Sequence, residues 1–278
     1  MTSGPLVSII MSAYNAEETL VEALESIYRQ THTNWELIVC DDASGDGTYK
    51  ILSSAAAASD GMRVVVLRNR TNRRLAYSLN RCLEIASGEY VARMDADDVS
   101  APNRIERQLA YLSEHPGVDL VGSWMRRFDA SGLGDLVQPA SDAPDRWTMA
   151  TSQTVPFCHA TILARRSVFA EVGGYTVAWR TARAEDLDLW FKFFAAGLVG
   201  RNLPEPLYLV REDRAAIRRR TPTVRLQVVA TRYVGNRVLN YPLRAYRQLV
   251  IELLKALVPY RLVDWHRDWS RKRSEQGR

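Results

Sequence analysis

Four short apolar runs alternate with helical stretches over roughly the first hundred residues, and this order constrains the fold more than any other feature. The runs are residues 6–11, 35–40, 63–67 and 90–94. The first helical stretch carries Leu20, Leu24, Ile27 and Tyr28 on one face; two more span about 48–59 and 75–86. Parallel strands need a crossover between them, so strand–helix alternation predicts a mainly parallel, doubly wound α/β sheet. Three runs stop abruptly at polar residues: Tyr14-Asn15, residues 41–48, and Asp95-Ala96-Asp97-Asp98. Open α/β sheets bind ligands at the carboxyl ends of their strands. Asn15, followed three residues later by Glu18, is close to a capping box for the first helix.

The acids after residue 94 carry the most chemistry. Strand side chains alternate, so Asp95 and Asp97 project to one side just past the strand end. With no cation beside them, two such carboxylates repel each other. A hard divalent metal removes that cost, and Mg²⁺ commonly takes one or two carboxylates plus phosphate oxygens. The plainer reading is a solvated acidic turn, because Asp is common in turns.

The second half is less regular. A helix is expected from Pro102 to about Glu114, a strand over 118–124, and irregular chain over 125–157. An apolar stretch at 160–169 ends at Gly173-Gly174-Tyr175. A helix then opens with Glu185, Asp186 and Asp188 in its first turn, where the helix dipole favours negative charge. From about Val224 the chain is helical and basic. Leu243, Tyr246, Leu249, Val250, Leu253, Leu254, Leu257 and Val258 form an apolar stripe beside Arg244, Arg247, Lys255 and Arg261.

Of the 278 residues, 46% are hydrophobic and 25% charged, as in ordinary globular chains. The net charge of +5 is concentrated late, in Arg218-Arg219-Arg220 and Arg271-Lys272-Arg273. No nucleic-acid-binding module accompanies it, so nucleic acid is not expected as a partner. Cys40, Cys82 and Cys158 lack metal or framework spacing and read as buried thiols in a reducing compartment. The N-terminal apolar run is too short for a signal peptide, and no run approaches a membrane span. A cytoplasmic protein is expected. The basic tail, with Trp265 and Trp269, suits peripheral docking on the anionic inner face of the plasma membrane. The alternative is a tail helix packed on the domain with a solvated basic face.

Four motifs, in order over roughly residues 6–215, resemble the family 2 inverting glycosyltransferases of the GT-A fold, in particular non-processive enzymes of bacterial polysaccharide assembly. They are Val7-Ser8-Ile9-Ile10 leading to Tyr14-Asn15; residues 36–48; residues 88–98; and Glu185-Asp186-Leu187-Asp188-Leu189-Trp190. The resemblance implies a transferase domain over 1–215, with a nucleotide-binding half (1–100) and an acceptor half (101–215), and a basic amphipathic helical tail over 216–278. It implies that Tyr14 stacks on the nucleobase and that Asp42 accepts a hydrogen bond from it, which suits uracil or thymine. Asp97 would bind the divalent metal, Mg²⁺ or Mn²⁺. Asp95 would contact the ribose, or the metal through water. Asp186 would be the general base.

Arg73 or Arg74 would face the diphosphate, the bland reading being two solvated arginines. Asn80 is a further donor-site candidate. Glu185, Trp190 and His159 would line the acceptor side or support it, although His159 reads equally as a satisfied core-edge histidine. Tyr14 could instead cap the sheet edge, and Asp186 could be a helix-terminal charge only. The implied partners are a nucleotide-sugar donor, UDP or dTDP favoured, and a saccharide or polyprenyl-diphosphate-linked acceptor.

Two features depart from the family pattern. Where many relatives carry a metal-site His, this chain has Arg211-Glu212-Asp213-Arg214. The motif and membrane helices of the processive synthases are absent, which implies one sugar per binding event. Competing readings are a nucleotidyltransferase, which lacks its glycine-rich loop here, and a non-catalytic nucleotide-sugar-binding scaffold.

Overall fold

The computed structural model describes residues 4–59, 63–152, 154–212 and 221–257. Strands β1 (Val7–Ala13), β2 (Trp35–Asp41), β3 (Val64–Arg68) and β4 (Tyr90–Asp95) pair in parallel in the order β3-β2-β1-β4. Helices α1 (Leu20–Tyr28), α2 (Thr48–Ala58) and α3 (Arg74–Ile85) make the crossovers. Ser12 lies opposite Asp95 and Ala13 opposite Asp41, so three strands end at one level. That common ending brings residues from 14, 42 and 95–98 to a single edge of the sheet.

The second half extends the same sheet with mixed pairing. It adds β5 (Val99–Ser100), α4 (Arg104–Glu114), β6 (Leu120–Asp129), β7 (Gly132–Val137) and α5 (Thr148–Thr151). Then come β8 (Leu163–Arg165), α6 (Arg166–Glu171), α7 (Glu185–Ala195) and β9 (Gly200–Arg211). The order continues β4-β8-β6-β9-β5, with β7 against β6. β8 is antiparallel to both β4 and β6, whereas β9 is parallel to β6. The segment expected to be irregular therefore contains a β6–β7 hairpin and a short helix.

Both faces of the sheet are covered. Ile9, Met11, Leu37 and Val39 pack under α1 and α4, while Ile10, Ile38, Cys40 and Val91 pack under α3, α6 and α7. This is the period of two expected for strands buried on both sides. The three cysteines are free and buried, as their apolar settings suggest. Helix α8 (Pro222–Val238) lies on α7 so closely that a Cβ on Gly235 would come within 2.2 Å of the Phe191 ring. Thr231 of α8 donates to the carbonyl of Arg180 at 2.7 Å. The start of the basic tail is thus built into the core that carries the candidate base.

Two local expectations fail. Asn15 does not cap α1, which begins five residues later at Leu20. With φ at +49°, Asn15 instead accepts a hydrogen bond from Gly45 N at 2.9 Å and donates its own N–H to Ser44 Oγ. Local capping loses to stitching between the first two sheet-edge loops. The tail stripe is also broken: α8 stops before Tyr241-Pro242, and α9 (Arg247–Leu257) follows a 3-10 turn at Leu243–Tyr246. Val258, Arg261, Trp265, Trp269 and the basic runs at 218–220 and 271–273 lie outside the described residues.

Candidate functional site

Strand β4 ends at Asp95, and the turn after it folds back so that Asp95, Asp97 and Asp98 converge. Their carboxylate oxygens lie within 4.8 Å of one another. Asp97 is exposed, Asp95 half-buried and Asp98 buried. Burial, then the charge of Asp95, raises Asp97 above the usual carboxylate range. Burial, then Asp95 and Asp97, pushes Asp98 up to about 8. Such crowding is the electrostatic condition that a divalent cation relieves, and oxygen-only donors suit Mg²⁺ or Mn²⁺. The donor set fits the metal.

The expectation that no cation stands beside the pair is corrected. Arg93, two residues back on β4 and therefore on the same face, forks both guanidinium nitrogens onto the two oxygens of Asp95. Its side chain is only 4% exposed. Burial alone would lower Arg93, but Asp95 carries it above the usual guanidinium range. Asp95 N also donates to the Tyr208 hydroxyl at 3.0 Å. Arg211 clamps the other side of the turn: its N–H donates to Asp98 Oδ1 at 2.8 Å and its Nε to the carbonyl of Asp97 at 2.9 Å. Arg211 therefore occupies the expected histidine position as a backbone clamp, and Asp98 completes the acidic set. Glu212 is exposed, and Asp213 lies outside the described residues.

At the start of α7 the three acids part company. Asp188 faces inward, 2.5 Å from Arg180 and 3.8 Å from Lys192. Glu185 and Asp186 stay half-buried. Asp186 accepts the N–H of Leu187 at 2.7 Å. Burial, then Asp186, pushes Glu185 up to about 7, and burial raises Asp186 as well. A carboxyl pair tuned toward neutrality suits proton transfer. Burial, then the charges of Glu185, Asp186 and Asp95, raises the Tyr175 hydroxyl above its usual range.

At the same sheet edge Tyr14 stands 52% exposed. Asp42 is buried, and its carboxylate accepts from Asn69 Nδ2 at 2.6 Å, Arg73 N at 2.8 Å and Arg74 N at 2.7 Å. It anchors the start of α3. The Arg73 and Arg74 side chains are exposed, Arg73 lying 4.5 Å over the Tyr77 ring.

The comparisons with known proteins agree on one family. The family model described as "Glycosyl transferase family 2" matches residues 8–173. EpsE of Bacillus subtilis (strain 168), a protein with a glycosyltransferase name, is 45% identical over 93% of this chain and 92% of its own.

The chain is a family 2 glycosyltransferase.

The Escherichia coli family member WfgD, named UDP-Glc:alpha-D-GlcNAc-diphosphoundecaprenol beta-1,3-glucosyltransferase, is 36% identical over 48% of this chain and 51% of its own. In fold, the enzyme resembles S. aureus TarS solved with UDP-GlcNAc, at a TM-score of 0.67 and 20% identity over 90% of this chain and 72% of that one. It also resembles the mannosyltransferase PcManGT of Pyrobaculum calidifontis solved with GDP-Man and Mn²⁺. That TM-score is 0.61, at 21% identity over 94% of this chain and 83% of that one. The mixed α/β architecture is thus that of GT-A structures.

Among the glycosyltransferase's expected site residues, Asn80 is held differently: its amide donates to the carbonyl and accepts from the N–H of Tyr175, both at 2.8 Å. It pins the Gly173-Gly174 turn, where both glycines have positive φ. Trp190 is 0% exposed and sits edge-on to Phe157 at 5.1 Å, which matches the supporting reading of this residue. His159 pairs through Nε2 with the Tyr175 hydroxyl at 2.8 Å. Burial, then Arg93, drives His159 well below its usual range, so the ring is neutral. The residues missed were Arg93, Tyr175, Arg211 and the role of Asp98. Only Arg93 left a signal: a charged residue two positions before Asp95 on a strand.

Proposed function

We propose that this family 2 enzyme is a metal-dependent, inverting glycosyltransferase that adds one sugar per binding event. The donor is a nucleoside-diphosphate sugar, UDP- or dTDP-linked, and the acceptor a saccharide or a polyprenyl-diphosphate-linked saccharide of surface polysaccharide assembly. The carrying observation is the acid cluster at the end of β4, where Asp95, Asp97 and Asp98 bring carboxylate oxygens within 4.8 Å of one another. Relatives named for lipid-linked acceptors and fold neighbours solved with UDP-GlcNAc and GDP-Man support the substrate classes.

Tyr14 offers the base a stacking face, Asp42 and the loop after it border the base, and Arg73 or Arg74 meets the diphosphate. Asp97 and Asp98, with Asp95 toward the ribose, would hold Mg²⁺ or Mn²⁺, which neutralises charge on a departing diphosphate. Asp186 takes the proton of the acceptor hydroxyl, whose oxygen bonds to the anomeric carbon. The bond from that carbon to the diphosphate oxygen breaks, its electron pair leaves with the nucleoside diphosphate, and the configuration inverts. Glu185 keeps the base pair near neutrality.

The division at residue 215 marks a transferase body and a tail that seats it on an anionic membrane from the cytoplasmic side. Leu243 is 89% exposed and Val250, Leu253 and Leu254 are exposed beside Arg244 and Arg247. Among the described residues no helix is long and apolar enough to cross a membrane. The test is transfer from UDP- and dTDP-sugars to a polyprenyl-diphosphate-linked saccharide with Mn²⁺, reading nucleoside diphosphate release and anomeric configuration. Product with inverted linkage supports the reading; pyrophosphate release, or donor binding without turnover on any acceptor, removes it.

A further inference from the structure

Arg93 is a buried cation set directly against the acid cluster after β4. It is buried in the middle of the sheet, with its N–H on the carbonyl of Ile162 at 3.0 Å and its own carbonyl accepting from Arg104 at 2.8 Å. Its fork holds Asp95, while Nε is left without a hydrogen bond among the described residues. Burying a guanidinium is costly unless its charge is compensated. A sheet interior of apolar residues would be the cheaper choice at this position, yet the chain places an arginine there. Asp97 and Asp98 crowd the same turn as Asp95, and the Tyr208 hydroxyl accepts the Asp95 N–H.

We propose that Arg93 is a positioning residue of the transfer reaction: its fork orients Asp95 and withholds that carboxylate's charge from the metal cluster. The inference rests on the transferase reading above. Two consequences run in opposite directions. Removing Arg93 frees Asp95 and makes the cluster more negative, so a divalent cation binds more tightly, because affinity follows ligand charge. The same removal releases Asp95 from the orientation that the fork sets, so turnover falls. A residue that merely filled space would lower metal binding and turnover together.

The experiment uses the full chain as Arg93→Lys, Arg93→Met, Asp95→Asn and Arg93→Met/Asp95→Asn. Mn²⁺ affinity is read by calorimetry without donor, and kcat with donor and acceptor. Arg93→Met should bind Mn²⁺ about threefold to tenfold more tightly, with kcat down about tenfold or more. Arg93→Lys keeps the charge without the fork and should hold wild-type Mn²⁺ affinity while losing part of kcat. If Arg93→Met does not fold, the Asp95 pair carries the test. Asp95→Asn strands the cation beside the cluster and weakens Mn²⁺ binding, and adding Arg93→Met should recover it. Metal affinity and kcat falling together in Arg93→Met would overturn the proposal, as would no recovery in the double variant. Wild-type protein that binds no Mn²⁺ and transfers no sugar would instead remove the transferase reading beneath it.

Discussion

Two groups of three acids, each packed into four residues, meet opposite fates in this fold. Asp95, Asp97 and Asp98 converge, whereas Glu185, Asp186 and Asp188 are divided, with Asp188 buried against Arg180. The difference is geometric. A strand that ends in a tight turn folds its side chains back onto one point. A helix advances each residue by about 100°, so three acids in one turn cannot all face the same cleft. The first arrangement concentrates negative charge at one point. The second leaves a half-buried pair and turns the third into part of the scaffold. Identical composition therefore says little about role until the backbone is known.

The contrast breaks most sharply at Asp97. Asp97→Asn should abolish metal-dependent donor binding and cut kcat/KM by about 10³-fold or more, a loss of roughly 4 kcal/mol. Titration with donor and Mn²⁺ checks it, and retained binding would strip the cluster of its role. Asp186→Asn should leave donor affinity intact and lower kcat by about 10²–10⁴-fold, the usual worth of a general base. Equal loss of donor binding would place Asp186 in the donor site instead.

Asp188→Ala should act on stability alone, costing about 2 kcal/mol because it leaves the half-buried Arg180 side chain without its buried partner. Denaturant unfolding measures this, and a fully stable but inactive variant would show that the division of the α7 acids is misread. The smallest effect belongs to Glu185. Its pKa is raised on folding, so its contribution is intact below the ordinary carboxylate value and lost as pH climbs through about 7. Glu185→Gln should then gain about 1 kcal/mol at pH 8 and little at pH 5. It should also shift the rising limb of the rate profile to lower pH, because Asp186 loses a like-charged neighbour. A limb that stays put would uncouple the two acids.

The first half of the chain was legible because its signals are local. Apolar runs, their polar ends and the helices between them are consecutive in the chain, so β1 to β4 and α1 to α3 follow from periodicity and Asp97 and Tyr14 from position. The second half depends on partners far away. The β6–β7 hairpin turns at Gly132 within a stretch that reads as loop, and β8 is three residues long. Asn80 finds its partner at Tyr175, and Asp98 finds its own at Arg211, pairings that no spacing announces. Trp190 lies on the acid-bearing helix, but its face turns into the Phe157 cluster. Arg93 was within reach: the two-residue period of a strand places it beside Asp95, and a cation in an apolar run is the kind of exception that marks a site.

The most direct test is calorimetric titration of UDP and dTDP, with GDP and CMP as controls, into wild-type protein and Asp97→Asn. Each titration is run with Mn²⁺ and with EDTA. Binding of UDP or dTDP by the wild type only with Mn²⁺, and its loss in Asp97→Asn, is the expected result. Equal binding in EDTA, or no metal-dependent binding of any nucleotide, would contradict the assignment of the β4 acids to a metal–diphosphate site.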